Sequence, residues 1–312
     1  MIKIVTFSMA SFGWWGISQE ELASRLLTEI DRCGSEHPDL ICLPEKALDT
    51  SGDFENPNEH NNTEAFLQAL QERAARYGSY IACSLAEPAL PFEDNQYNTT
   101  YLIDRAGSIA GCYRKRHVTT RELEKGDVPS AEFSVIDTDF GKVGILTCFD
   151  ASYPDDWAEL SRLGAKIVIW NAAYDGGCRI PAYAALYNYA IITSVWTDRA
   201  RIINAMGETI ADNRGKYGVL MGYLEEDLTI FHTDFQDALI PVIAEKYADR
   251  ISIRLYPDED VFTLASHDSS VSVEDLEQEF GLVRYCAYAH NTEKMGKDVL
   301  LSHCQRFNKG DG

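Results

Sequence analysis

Short apolar runs separated by helix-like or turn-rich stretches recur through the first two-thirds of the chain, and this alternation restricts the fold more than any other feature. The runs fall at 2–7, 39–44, 79–84, 99–104, 109–113, 132–137, 142–148, 166–170, 191–196 and 201–205, and read as buried strands. Helices are expected at about 18–33, 63–76, 154–163 and 181–190. Ser18 with Glu21 makes a capping box for the first, with Gly34 as its stop, and the second ends at Gly78. Such alternation predicts an α/β protein whose helices cover the outer faces of its sheets. Strand-then-strand passages at 99–113 and 132–148 imply hairpins, so the sheets are expected to be mixed.

No stretch rich in Gly, Pro and Ser divides the 312 residues. They read as one domain over 1–312, with an elaborated, more acidic tail from about 229 in which 237–247 and 273–282 look helical. The net charge of −21 argues against nucleic acid or an anionic membrane surface as partner, because both call for basic patches. No segment approaches about 18 unbroken apolar residues, and the opening run is too short for a signal peptide. A cytoplasmic protein is therefore expected, and the Asn-X-Thr matches at Asn61 and Asn98 are chance occurrences. Eight cysteines form no Cys-x-x-Cys pair, and seven histidines form no ligand-spaced pair. Neither a disulfide scaffold nor a metal is expected, and nothing calls for a cofactor. Cys42, Cys83 and Cys112 lie in or beside apolar runs, as small buried hydrophobes do.

Three apolar runs deliver a reactive group where a strand meets a loop: Glu45 after Leu-Ile-Cys-Leu-Pro, Lys115 in Tyr-Arg-Lys-Arg-His, and Cys148 in Gly-Ile-Leu-Thr-Cys-Phe-Asp. A thiol, a carboxylate and an ammonium together suit covalent catalysis, with nucleophile, base and oxyanion donor drawn from separate strands. Cys148 sits at a turn into a helix that opens with Pro154, Asp155 and Asp156, where backbone N–H groups favour thiolate and oxyanion. That position makes it the cysteine expected to alkylate first. In the plainer reading Cys148 is an inert strand cysteine, Glu45 caps a strand end beside Lys46, and Lys115 belongs to a solvated basic turn.

Taken together, Pro-Glu after a buried strand, Tyr-Arg-Lys-x-His, and Gly-x-x-x-Cys-aromatic-Asp followed by Pro, acid and Trp resemble the nitrilase superfamily of carbon–nitrogen hydrolases. Asp137-Thr-Asp-Phe-Gly-Lys-Val-Gly before the cysteine and Asn204-Ala-Met-Gly-Glu-Thr-Ile after it add to the resemblance, which spans about 1–225.

The resemblance implies a four-layer α-β-β-α sandwich with two mixed β-sheets. It also implies a catalytic set in which Cys148 attacks, Glu45 is general base, and Lys115 with the backbone N–H of Phe149 stabilises the oxyanion. A second glutamate is expected between the lysine and the cysteine; Glu122 is favoured over Glu124. Asn171 and Tyr174 are candidates for substrate contact, or else are turn residues. The substrate would be a small amide or N-carbamoyl compound, because Cys148-Phe149-Asp150 departs from the Cys-Trp-Glu of typical nitrilases; nitrile hydrolysis is the alternative. A non-catalytic binding protein on the same fold is a second alternative. The resemblance further implies a homodimer or higher homo-oligomer.

Overall fold

In β1 (Ile2–Phe7) successive side chains enter different cores: Ile2 and Ile4 join one cluster, Val5 and Phe7 another. The same split recurs in β2 (Leu40–Cys42), with Leu40 and Cys42 on one side and Ile41 on the other. A strand alternates its side chains, so one buried on both faces must be apolar throughout, which is why these segments read as unbroken runs. The computed structural model describes residues 1–13, 16–50, 63–91, 95–215, 218–226 and 228–307. Asn61 lies outside them.

The chain sorts into two compact units, one of residues 2–224 and one of 225–312 with Met1. In the first, β3 (Tyr80–Pro88), β4 (Gln96–Ile103), β5 (Ile109–Arg114) and β12 (Val219–Leu224) complete a sheet of order β12-β1-β2-β3-β4-β5. A second sheet has the order β11-β10-β9-β8-β7-β6. Its strands are β6 (Val135–Thr138), β7 (Gly141–Thr147), β8 (Ile167–Ala172), β9 (Ala190–Val195), β10 (Arg201–Ile203) and β11 (Thr209–Asp212). Both are mixed: β1-β2-β3 and β7-β8-β9 run parallel, and the flanking pairs are antiparallel.

The sheets face one another, joined by Thr6 Oγ1 donating to the Thr193 carbonyl at 2.7 Å and by Ser194 Oγ on the carbonyls of Phe7 and Cys42. Leu22, Leu26 and Ile30 of α1 (Gln19–Gly34), with Phe66, Leu70 and Ala74 of α2 (Thr63–Tyr77), cover the outside of the first sheet. Trp157 and Leu160 of α4 (Pro154–Arg162), with Ile180 and Ala184 of α5 (Arg179–Tyr187), pack against the second. A short α3 (Thr120–Glu124) lies between β5 and β6. This is the expected α-β-β-α sandwich.

Gly34 does not stop α1 through a left-handed turn. It lies within the helix, where a Cβ would fall 2.4 Å from the Tyr77 ring, so it allows α1 and α2 to approach. Gly78, with φ of +63°, does end α2 in the left-handed region. The helix expected at 181–190 ends earlier, because Asn188 adopts φ +54° and caps it.

Where a tail was expected from about 229, the second unit builds its own core around Phe231, Ile243, Phe262, Leu264 and Leu276. Its sheet has the order β13-β15-β14, from β13 (Thr229–His232), β14 (Ile251–Tyr256) and β15 (Val261–Ser266). α6 (Ile240–Tyr247) and α7 (Val273–Phe280) match the two stretches read as helical; α8 (Tyr285–Phe307) and the strands were not anticipated. Among the described residues, no helix is long and apolar enough to cross a membrane.

Candidate active site

β2 releases the chain at Cys42, and Leu43-Pro44 carry it to Glu45, which is wholly buried. A carboxylate taken out of water needs donors. Oε1 of Glu45 receives Lys115 Nζ at 2.9 Å and Asn98 Nδ2 at 2.8 Å, while Oε2 is buried without a hydrogen-bond partner. Asn98 on β4 is itself oriented by Ser84 Oγ, which donates to its Oδ1 at 2.8 Å. The Glu45 carbonyl accepts Trp196 Nε1 at 2.6 Å, so both ends of the residue are fixed.

Lys115 follows β5 directly and its side chain is 1% exposed. Besides Glu45, its Nζ donates to both oxygens of Glu122, at 2.7 and 2.9 Å. Burial opposes the charged amine, but the surrounding Glu45, Cys148 and Glu122 outweigh it and hold the Lys115 pKa well above its ordinary value. Glu122 earns its place through a local motif. Thr119 caps α3 by accepting the Glu122 N–H, and Glu122 Oε2 accepts the Thr119 N–H at 2.7 Å, a reciprocal capping box that turns the carboxylate inward. Burial raises the Glu122 pKa and Lys115 more than reverses it, leaving the group below its ordinary value. Glu124 is exposed.

Cys148 ends β7 and begins the turn 148–152. Its φ of +47° lies in the left-handed region, costly for a side chain with a Cβ and typical of residues held for a purpose. The clamp on this turn is Asp150, also wholly buried. It accepts Tyr113 OH at 2.6 Å, the Thr147 N–H at 2.8 Å and the His117 N–H at 2.9 Å, joining the cysteine turn to the Lys115 segment. Burial outweighs these donors and pushes the Asp150 pKa up to about 6. Nearby, Asp156 binds Arg116 Nε at 2.9 Å and His117 Nε2 at 2.8 Å, and the His117 ring stacks on Tyr153. His117, Asp150 and Asp156 bring ligand-type atoms within 4.8 Å of one another, but both carboxylates already spend their oxygens on protein donors.

The Cys148 sulfur sits between opposing influences. Burial first, then the Glu45 charge, push its pKa well above the ordinary thiol value; Lys115 and the Ala173 N–H pull the other way. The group thus holds its proton more tightly than a free cysteine does, beside a carboxylate oxygen that has no hydrogen-bond partner. It is also only 9% exposed, whereas Cys112, Cys178 and Cys286 are exposed, so access does not favour alkylation of Cys148 first. Cys42 and Cys83 are buried as expected, but Cys112 is not.

Glu45, Lys115, Glu122 and Cys148 thus come together, from both sheets and α3. Phe149 immediately follows the cysteine, at the start of a helical turn whose leading N–H groups have no partner within the turn. Tyr174 is 39% exposed and set edge-on to Trp170. Burial first, then Cys148, raise its pKa to about 12. Asn171 is placed otherwise than expected. It is wholly buried, accepts Thr147 Oγ1 at 2.8 Å and donates to Thr100 Oγ1 at 2.7 Å, so its amide ties the two sheets together instead of lining a pocket. Asn98 and Asp150 were not identified from sequence. Asn98 meets Glu45 from 53 residues away, and Asp150 joins the neighbouring Thr147 to the distant Tyr113 and His117.

A family model described as carbon-nitrogen hydrolase matches residues 8–214. A nitrilase of Pyrococcus abyssi is 32% identical over 158 residues, which cover 47% of this chain and 55% of that protein. The omega-amidase of Saccharomyces cerevisiae is 26% identical over 180 residues, covering 51% and 61%. The chain spans about half the length of the curated relatives it matches. An amidase from Nesterenkonia sp., whose structure shows Michael addition of acrylamide at its active-site cysteine, superposes with a TM-score of 0.64 at 16% identity, over 72% of this chain and 93% of that one. That likeness is one of fold.

Proposed function

This chain belongs to the carbon-nitrogen hydrolase family, and from that premise we propose that it cleaves the C–N bond of a small amide or N-carbamoyl compound through a thioester on Cys148. One observation carries the reading: a buried carboxylate with an unpartnered oxygen beside a buried cysteine, both against a lysine bound to two glutamates. Such a pair needs no preformed thiolate. Glu45 takes the thiol proton as Sγ bonds to the carbonyl carbon, so the charged sulfur never has to persist in the buried site. The carbonyl π electrons move to oxygen, where Lys115 Nζ and the Phe149 N–H stabilise the oxyanion. Collapse of the tetrahedral species breaks the C–N bond, and the amine leaves with the proton returned by Glu45. Water, deprotonated by the same carboxylate, then attacks the thioester and releases the acid and the free thiol.

Glu122 is assigned the task of holding Lys115. Two oxygens on one ammonium fix its direction, and its charge offsets the cost of burying the cation. Tyr174 is assigned a contact with the substrate. Names among the curated relatives, including omega-amidase and beta-ureidopropionase, support the amide and carbamoyl classes. Nitrile hydrolysis is the second reading, favoured by the nitrilase of Pyrococcus abyssi. The proposal extends to a cytoplasmic enzyme acting as a homodimer or higher homo-oligomer.

The test offers the protein aliphatic amides, aromatic amides, N-carbamoyl amino acids and nitriles, reading ammonia release and intact mass. Ammonia from an amide or carbamoyl compound, with a transient acyl mass on the Cys148 peptide, is the expected result. Ammonia from nitriles alone selects the second reading. Neither ammonia nor adduct across the panel would leave a binding protein.

A further inference from the structure

Next to the cluster lies a second buried ion pair that the mechanism above does not use. Lys46, the residue after Glu45, is 6% exposed, and its Nζ donates to Asp127 Oδ1 at 2.8 Å and Oδ2 at 3.0 Å. The sequence invites a pairing of Lys46 with its neighbour Glu45, yet the turn forbids it. Lys46 has a φ of +41°, and its N–H is fixed on Ser84 Oγ at 2.9 Å, the same hydroxyl that orients Asn98. Asp127 closes the segment carrying Glu122. Its N–H donates to the Glu122 carbonyl at 3.0 Å, and Gln96 Nε2 reaches its Oδ1 at 3.3 Å.

Exposed ion pairs are worth little, but a buried one is costly to assemble and costly to break from one side. This one spans the two segments whose carboxylates must meet Lys115. We propose that Lys46, clamped by Asp127, is a positioning residue of the active site: it ties the Glu45 turn to the Glu122 helix and adds a second cation to a cluster of three carboxylates. Lys46 acts directly on Asp127 and on the charge of Glu122, and through Glu122 it reaches Lys115, which in turn meets Glu45 and acts on Cys148. Glu122 responds to the charge of Lys46, and Asp127 to those of Glu122 and Lys115, so the two ion pairs form one electrostatic unit.

The proposal builds on the functional reading but is tested without it, through the pH midpoint for iodoacetamide labelling of the Cys148 peptide in the intact folded protein. Lys46→Met removes a cation and should move that midpoint up; Asp127→Asn removes an anion and should not move it up; Lys46→Arg should restore the wild-type value. A pair that merely props the fold would loosen the site equally from either side. Upward movement in both single variants, or none in Lys46→Met, overturns the proposal. If Lys46→Met does not fold, Lys46→Gln takes its place under the same criteria. Where an amide is hydrolysed, Lys46→Met should lower kcat by about 10²-fold with KM changed far less, the pattern of displaced catalytic groups. Absence of amide turnover in the wild type would count against the hydrolase reading and leave the labelling result to decide this one.

Discussion

The amide of Asn98 and the ammonium of Lys115 meet on one oxygen of Glu45, at 2.8 and 2.9 Å, leaving the other oxygen bare. A base must be held in place yet keep a lone pair for the incoming proton, and this division of its two oxygens provides both. Asn98→Ala removes one anchor and leaves Lys115 alone to aim the carboxylate. We expect kcat to fall at least about tenfold, since loss of a buried hydrogen bond to a charged group costs about 1.5–3 kcal/mol. Steady-state kinetics with a circular dichroism control checks this; an unchanged kcat would make Asn98 a packing residue.

Cys148→Ala should abolish turnover while the fold survives, because the side chain is small and its neighbours are held by Asp150. Ammonia release and a thermal melt read the two halves of that statement. More than a small residual rate in the alanine variant would move the nucleophile elsewhere.

Glu45→Gln and Lys115→Met should each cost about 10²–10⁴-fold in kcat, the range for a general base or an oxyanion donor. A change confined to KM would mean uniform substrate binding instead.

Glu122 and Glu124 lie two residues apart in places that predict opposite outcomes. Glu122→Gln takes a charge from Lys115 while keeping an oxygen for the α3 cap, so rate should drop and stability should fall through the lost ion pair. Glu124→Gln alters an exposed side chain and should stay within about 0.5 kcal/mol of wild type. The reverse ranking would exchange their roles.

The same glutamate makes a pH signature. Its folded pKa lies below the unfolded value near 4.5, so its ionised form contributes stability above that pH, and the contribution disappears as pH falls through the lower folded value. Thermal melts between pH 3 and 7 should therefore show a shallower acid decline for Glu122→Gln than for wild type. Parallel curves would remove Glu122 from the acid response.

Alkylation should separate labelling from inactivation. Cys178 and Cys286 are exposed, while Cys148 is nearly buried and its pKa is pushed up. Limiting iodoacetamide should mark the exposed thiols early with activity retained, and activity should fall only in step with the Cys148 peptide. Inactivation that tracks Cys178 would relocate the site.

The legible part of this molecule was local. Strands buried on both faces appear as apolar runs, and a charge or thiol that ends such a run stands out, so Glu45, Lys115 and Cys148 could be picked from sequence. Glu122 was narrowed to two candidates because the resemblance calls for a glutamate in a stretch that holds two; the structure separates them through the capping box of Glu122 with Thr119. Asp150 shares a capping box with Thr147, but its other partners, Tyr113 and His117, are distant in sequence, as are Glu45 for Asn98 and Lys46 for Asp127, and no local pattern announces them. Asn171 was misread because a polar residue after a buried strand looks the same from sequence whether it faces a pocket or bridges two sheets. The direction of the carboxylate's effect on the thiol was legible, since Glu45 beside a cysteine raises its pKa, but the burial that dominates the shift is not recorded in the Cys148 motif.

Asn98 carries one further consequence, for how this protein can be made. It heads an Asn-Thr-Thr triplet, the acceptor pattern for N-linked glycans, yet it is wholly buried in the middle of β4 with its amide committed to Glu45. An oligosaccharide attached to the nascent chain could not enter the sandwich interior and would consume the very nitrogen that holds the carboxylate. Expression through a eukaryotic secretory route would therefore penalise folding at this one triplet. Replacing Thr100 to remove the signal would instead cut the Asn171 bridge between the sheets.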